Sequence, residues 1–200
     1  MVVIPFAGTA AISAILVLVW ARVTRTPWRE IGFVAPRSWP RAVAVGILFG
    51  AVFKFVMKAL VMPLFGAAPV NRAYHYLADN AQAAAFMAVF VIVGGGFGEE
   101  TLYRGFLFER FSKLFGSRAG VHAKAFALLL TTVWFAAVHY PDQGLAGVEQ
   151  AAVTGLAFGM IFLMTGSLFI PMMAHAAFDL AAIAMIYWDF ETRVAHLIFR

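Results

Sequence analysis

Gly94-Gly95-Gly96-Phe97-Gly98-Glu99-Glu100-Thr101-Leu102-Tyr103-Arg104-Gly105-Phe106-Leu107-Phe108 decides how this chain is read. Three charged residues fall within six positions, inside an apolar run that starts near Ala81 and turns apolar again at Phe106. The surroundings make these charges expensive. The 200-residue chain is 63% hydrophobic and 12% charged, against roughly 45–50% and 25% in a soluble globular protein. With 21 Phe and 5 Trp it has too little polar surface to coat a soluble particle, so lipid is the expected solvent for much of it. At mid-bilayer a charge costs about 2.5–3.5 kcal/mol on insertion scales, and each one demands a partner or a chemical task.

A transmembrane helix needs about 20 mostly apolar residues. Such runs cover Val2 to Trp20, Ala42 to Phe65, Ala84 onward, Val121 to His139, Val148 to Met164 and Leu168 to Trp188. They predict an all-α, polytopic bundle of about six transmembrane helices, with residues 1–200 forming a single membrane-embedded domain. The connector Arg22 to Arg41 carries five Arg and one acid, and Arg110, Lys113, Arg118 and Lys124 follow the third run. Both segments belong inside by the positive-inside rule, which puts the N-terminus outside. The first run has no basic stretch ahead of it, so it reads as an uncleaved helix and not a signal peptide. The net charge of +5 is spread between apolar runs, without the basic face a nucleic acid partner needs. Zero cysteines exclude a disulfide framework, a cysteine nucleophile and a thiolate metal site. The pairs Gly46/Gly50, Gly94/Gly98 and Gly155/Gly159 have the spacing that lets helix backbones approach, and packing is their expected role.

Setting aside charges near the run ends, such as Lys124 and Glu149, only Lys54, Lys58, Glu99, Glu100, Arg104 and Asp179 carry charge inside the runs. Glu100 and Arg104 are four apart and can neutralise each other on one helix face, leaving Glu99 about 100° away to face a cavity. His139 closes the Phe135-Ala136-Ala137-Val138-His139 run just before Pro141, while His175 and Asp179 share a face of the last run. Glu99, His139, His175 and Asp179 thus come from three helices, and in apolar surroundings they satisfy one another only by converging. Carboxylate and imidazole in a partly dry cavity can activate water and steady an oxyanion. Singly, each has a plainer reading as an interfacial residue or a polar contact between helices; it is the coincidence of four that favours catalysis. Were the third helix to end at Gly98, Glu99 and His139 would lie roughly 25–30 Å apart, so a shared site requires it to continue to about Phe111. For Lys54 and Lys58, snorkelling is preferred over pairing with an acid or admitting an acidic substrate group.

At Glu99-Glu100-x-x-x-Arg104, Phe135-x-x-x-His139 and His175-x-x-x-Asp179, in that order, the chain resembles the CPBP family of intramembrane glutamic endopeptidases, the CAAX prenyl protease-like or Abi proteins. The resemblance covers about residues 81–190. It implies hydrolysis of a peptide bond in a membrane-associated peptide or protein substrate, which in some members is lipidated, with membrane lipids as the other partner and no catalytic metal or cofactor. It implies Glu99 as general base with His139 as its partner, His175 and Asp179 as the oxyanion site, and Glu100 and Arg104 in support. The expected setting is the inner membrane of a prokaryote. Asp179 departs from the Asn of prenyl-protein members: an ionised Asp repels an oxyanion, so it must be protonated or must orient His175 as a cation. The competing readings are a zinc metalloprotease, which lacks the usual His-Glu-x-x-His helix, and a non-catalytic immunity or scaffold protein.

Overall fold

In the described part of the chain, residues 6–116 and 120–199 of a computed structural model, the regular secondary structure is helical. The helices are α1 (Phe6–Val23), α2 (Trp39–Leu64), α3 (Ala81–Leu114), α4 (Gly120–Ala137), α5 (Tyr140–Thr165), α6 (Phe169–Tyr187) and a short α7 (Glu191–Ala195). By length and composition α2, α3, α5 and α6 can each cross a membrane, and shorter apolar stretches, Thr9–Val23 and His122–Ala137, lie in α1 and α4. Large apolar side chains such as Leu16, Leu48, Phe86, Val133 and Met164 point outward. On a membrane protein these are the lipid-facing surfaces.

Local chemistry fixes the helix ends. The Asn80 side chain accepts a hydrogen bond from the Ala83 amide at 3.1 Å and so caps α3. Gly166, at φ 65°, closes α5 in the left-handed conformation. Tyr140 to Gly144, which lie between the apolar runs ending at His139 and starting at Val148, form the first turn of α5, so this helix starts eight residues before Val148. Pro141 sits where its missing N–H costs nothing, Asp142 complements the helix dipole, and Gly144 (φ 63°) kinks the helix. In consequence His139 stands in the turn between α4 and α5 and is not the last residue of a helix.

α3 runs past Gly98 to Leu114, as a shared site requires, so Glu99 lies near its middle. Its central part, Val91–Leu107, is wound as a π-helix, and a second π-helical turn, Met57–Val61, interrupts α2. Extended π-helix is rare, and single turns of it mark functional sites. Here it carries Glu99, Glu100 and Arg104.

α6 is the central element, packed against α2, α3 and α5, while α1 lies along the middle of α3 and α4 pairs with α5. The glycine pairs make these approaches possible. A Cβ on Gly46 would meet Met173, one on Gly50 the Ala174 carbonyl, one on Gly98 the backbone of Ala10, and one on Gly155 Thr132 and Phe135. Phe158, Phe178, Ala174 and Met57 fill the space between α2, α5 and α6. The Arg22 to Arg41 connector is tied in by Ser167, whose hydroxyl donates to the Val34 carbonyl at 2.7 Å.

Candidate active site

Glu100 is fully buried and is the anchor of the site. One of its oxygens, Oε1, accepts from Arg104 at 2.9 Å and from His175 Nδ1 at 2.6 Å. Arg104 in turn donates to the Gly155 carbonyl of α5 at 3.2 Å and lies over the Phe135 ring, 4.6 Å from its centre. The expected Glu100 and Arg104 pair is therefore present, and it does more than neutralise itself. It links α3, α5 and α6 and sets the tilt of the His175 ring.

Because Nδ1 of His175 is committed to Glu100, the other ring nitrogen faces the cavity. Nε2 lies 3.6 Å from Glu99 Oε2 and 3.5 Å from Asp179 Oδ2. Both separations exceed a good hydrogen bond, so Nε2 stands within electrostatic reach of two acids without being bound tightly to either. Glu99 and His175 are buried, whereas the Asp179 side chain is 28% exposed. Gly95 makes this approach possible, since a Cβ there would lie 2.9 Å from Asp179 Oδ2 and 3.6 Å from His175 Nε2.

His139 enters from the α4–α5 turn. Its Nδ1 donates to the Phe135 carbonyl at 2.6 Å, which puts the acceptor lone pair on Nε2. The Phe135 ring packs against His139 at 4.7 Å and His175 at 6.0 Å, so one buried aromatic spaces the two imidazoles. Glu99, His139, His175 and Asp179 line one cavity of about 130 Å³, room for several waters. Tyr74, from the loop before α3, also reaches it and takes a hydrogen bond from Gln143 at 3.3 Å. Burial pushes its phenol up to about 12, which keeps it protonated near neutral pH.

Three parts of this arrangement escaped the sequence reading. Phe135 and Gly95 act through shape, which spacing alone does not reveal. Lys54 and Lys58 do not snorkel: both are buried, Lys54 bonded to Gln150 Oε1 at 2.8 Å and Lys58 paired with Glu191 at 2.9 Å. The snorkelling expectation failed because polar partners, Gln150 and Glu191, lie within the bundle. An intramembrane lysine without an acid in its own helix was the available signal for Glu191. Among the described residues no three His, Cys, Asp or Glu side chains are grouped so as to hold a metal ion.

Comparison with known proteins gives the family. The family description for Rce1-like type II CAAX prenyl endopeptidases matches residues 81–181, about half of the chain, and takes in all six motif residues from Glu99 to Asp179. No curated protein and no solved structure matches the chain. The chain is thus an integral membrane protein, and it belongs to the Rce1-like family of type II CAAX prenyl endopeptidases, a family of membrane proteases.

Proposed function

We propose that this protein is a glutamate-dependent intramembrane endopeptidase that cuts a peptide bond of a membrane-associated, in some cases lipidated, substrate. The observation that carries the reading is the single cavity onto which Glu99, His139, His175 and Asp179 all open. In this mechanism a cavity water attacks the scissile carbonyl carbon and gives its proton to Glu99. His139, with its lone pair on Nε2, accepts from that water and holds it in place, and Glu99 passes the proton it has taken to the departing amine as the C–N bond breaks. The developing oxyanion takes its hydrogen bond from His175 Nε2, which carries a proton with the ring held as a cation among Glu99, Glu100 and Asp179, and whose loose contacts with Glu99 and Asp179 leave the donor available. Glu100 and Arg104 work at one remove, holding His175 from its other nitrogen.

All of this belongs to a single domain of six crossings, N-terminus outside, in the inner membrane of a prokaryote. The basic connector Arg22 to Arg41 supports that orientation.

The test is cleavage of an S-farnesyl peptide by purified protein in lipid vesicles. Glu99→Gln and His139→Ala are each expected to slow cleavage by about 10²–10⁴-fold while leaving the folded protein intact, and chelators to leave the rate unchanged. Full activity in both variants would return the cluster to a scaffold role. A stoichiometric zinc required for turnover would replace the proposed mechanism with a metalloprotease one.

A further inference from the structure

The two ends of the bundle differ in charge. At one end the Arg22 to Arg41 connector meets the end of α3 and the turn between α5 and α6: Lys113 pairs with Glu30 at 2.7 Å, and the Leu168 amide donates to the Gly32 carbonyl at 2.9 Å. Residues 22–41, 109–116 and 120–124 bring eight lysines and arginines to this end against two acids, Glu30 and Glu109. At the other end the 65–80 loop meets the end of α6 and the start of α7, with the Asp79 amide donating to the Tyr187 carbonyl at 3.1 Å and the Asn71 amide to Glu191 at 3.3 Å. Residues 65–80, 140–144 and 188–199 carry only Arg72 and Arg193 there, against Asp79, Asp142, Asp189 and Glu191. Lysine and arginine are favoured on the cytoplasmic side of a membrane protein, which supports an inward first end and an outward second.

The catalytic cavity belongs to the second end. Its rim is formed by Asn71 and Tyr74 of the 65–80 loop and by Asp142 and Gln143 of the first turn of α5, and Asp142 is exposed. Going inward, the lining stops at Glu99 on α3, at Thr154 on α5 and at His175 on α6. Among the described residues none of the basic end contributes to it. Below that floor the bundle is closed. Phe108, Phe162, Leu168 and Met172 pack into one buried cluster with Phe33, Phe97 and Phe169 against it, and Arg104 bridges from Glu100 to the Gly155 carbonyl. A peptide arriving from the basic end would have to displace a close-packed core, whereas one arriving from the other end meets a polar rim first.

We propose that the catalytic cavity opens on the outer face of the membrane, and that the protease cuts membrane-anchored chains whose scissile bond is exposed there, exported proteins and peptides and not segments presented from the cytoplasm. The inference rests on the peptidase reading above and adds the side from which that site is fed. The side fixes the substrate class, because a segment at the cytoplasmic surface stays separated from Glu99 by the closed half of the bundle.

The chain has no cysteine of its own, so a single introduced thiol reports the side it faces. Ser38→Cys, just before α2, and Ala73→Cys, in the 65–80 loop, both change exposed positions, and Ser38 makes no capping hydrogen bond. In spheroplasts a sulfonated maleimide, which the bilayer excludes, is expected to label Ala73→Cys at least about tenfold faster than Ser38→Cys, and lysis to equalise them. The second measurement compares the unmutated protein in right-side-out and inverted membrane vesicles, using the S-farnesyl peptide of the cleavage assay with a sulfonated dye attached. Right-side-out vesicles are expected to cleave it at least about tenfold faster, with the difference lost in detergent. Equal labelling of the two thiols, faster labelling of Ser38→Cys, or cleavage by inverted vesicles at an equal or higher rate overturns the proposal. The vesicle comparison needs no substitution, so it decides the matter even where a thiol variant does not fold. Vesicles that stay inactive in detergent, beside rapid labelling of Ala73→Cys, would overturn the peptidase reading and leave the outward cavity standing.

Discussion

Asp179 and Glu100 show how differently two carboxylates can be used a few ångströms apart. Glu100 is fully buried between a guanidinium and an imidazole, and its removal leaves both without their anion. Glu100→Gln is therefore expected to destabilise the protein by about 3–5 kcal/mol, the cost of breaking a buried ion pair from one side. Thermal unfolding in detergent, followed by tryptophan fluorescence, checks this; an unchanged midpoint would mean that Arg104 finds another partner. Asp179 is partly exposed, and its carboxylate lies 3.5 Å from the outer nitrogen of His175. Asp179→Asn keeps an oxygen for His175 and adds a donor for the oxyanion, so activity should stay within about tenfold of the parent, while Asp179→Ala should lose about 10²-fold. Steady-state cleavage rates separate the two, and equal losses would remove Asp179 from the oxyanion site. The i, i+4 spacings made both pairs legible in the sequence. The Glu100 to His175 bond was not, because it joins residues 75 positions apart.

At the scale of elements, the π-helical centre of α3 and the close approach of α2 to α6 decide where the side chains point. The apolar run from Ala81 was readable, and so was its need to continue beyond Glu99. Its winding was not: whether glycines 94 to 98 tighten or widen a helix depends on what packs against them. Gly50 is the sharpest constraint on α2, since a Cβ there would run into the Ala174 carbonyl, one residue before His175. Backbone cannot move aside as a flexible side chain can. Gly50→Ala is expected to push α2 and α6 apart and lower stability by about 1–3 kcal/mol, with a loss of cleavage through the displaced His175. An unfolding midpoint and rate equal to those of the parent would show that the two helices tolerate the separation. The early start of α5 is a related case. Pro141 and Gly144 look like a loop in sequence, but a proline in the first turn and a glycine kink are both compatible with a helix once its remaining face is packed.

Over the whole molecule, buried polar links hold the elements in register. Arg104 joins α3 to α5, His175 joins α6 to α3, Lys54 joins α2 to α5, and Lys58 joins α2 to α7 through Glu191. The last of these can be tested apart from the active site. Lys58→Met and Glu191→Leu should each cost about 3–5 kcal/mol, and the double variant much less than their sum, because it strands no charge. A double-mutant cycle of unfolding midpoints reads this directly, and strict additivity would show that the pair is not coupled. Composition pointed to lipid as the solvent, and apolar runs of about 20 residues made the chain legible as a bundle of membrane helices. Three ordered motifs were enough to indicate the family and the residues of the candidate site. Only the tertiary structure decided that Glu100 holds His175, that Phe135 and Gly95 shape the cavity, and that Lys54 lines it while bonded to Gln150. These are contacts between distant helices, and helical periodicity fixes the face on which a side chain stands but not what the fold places opposite it.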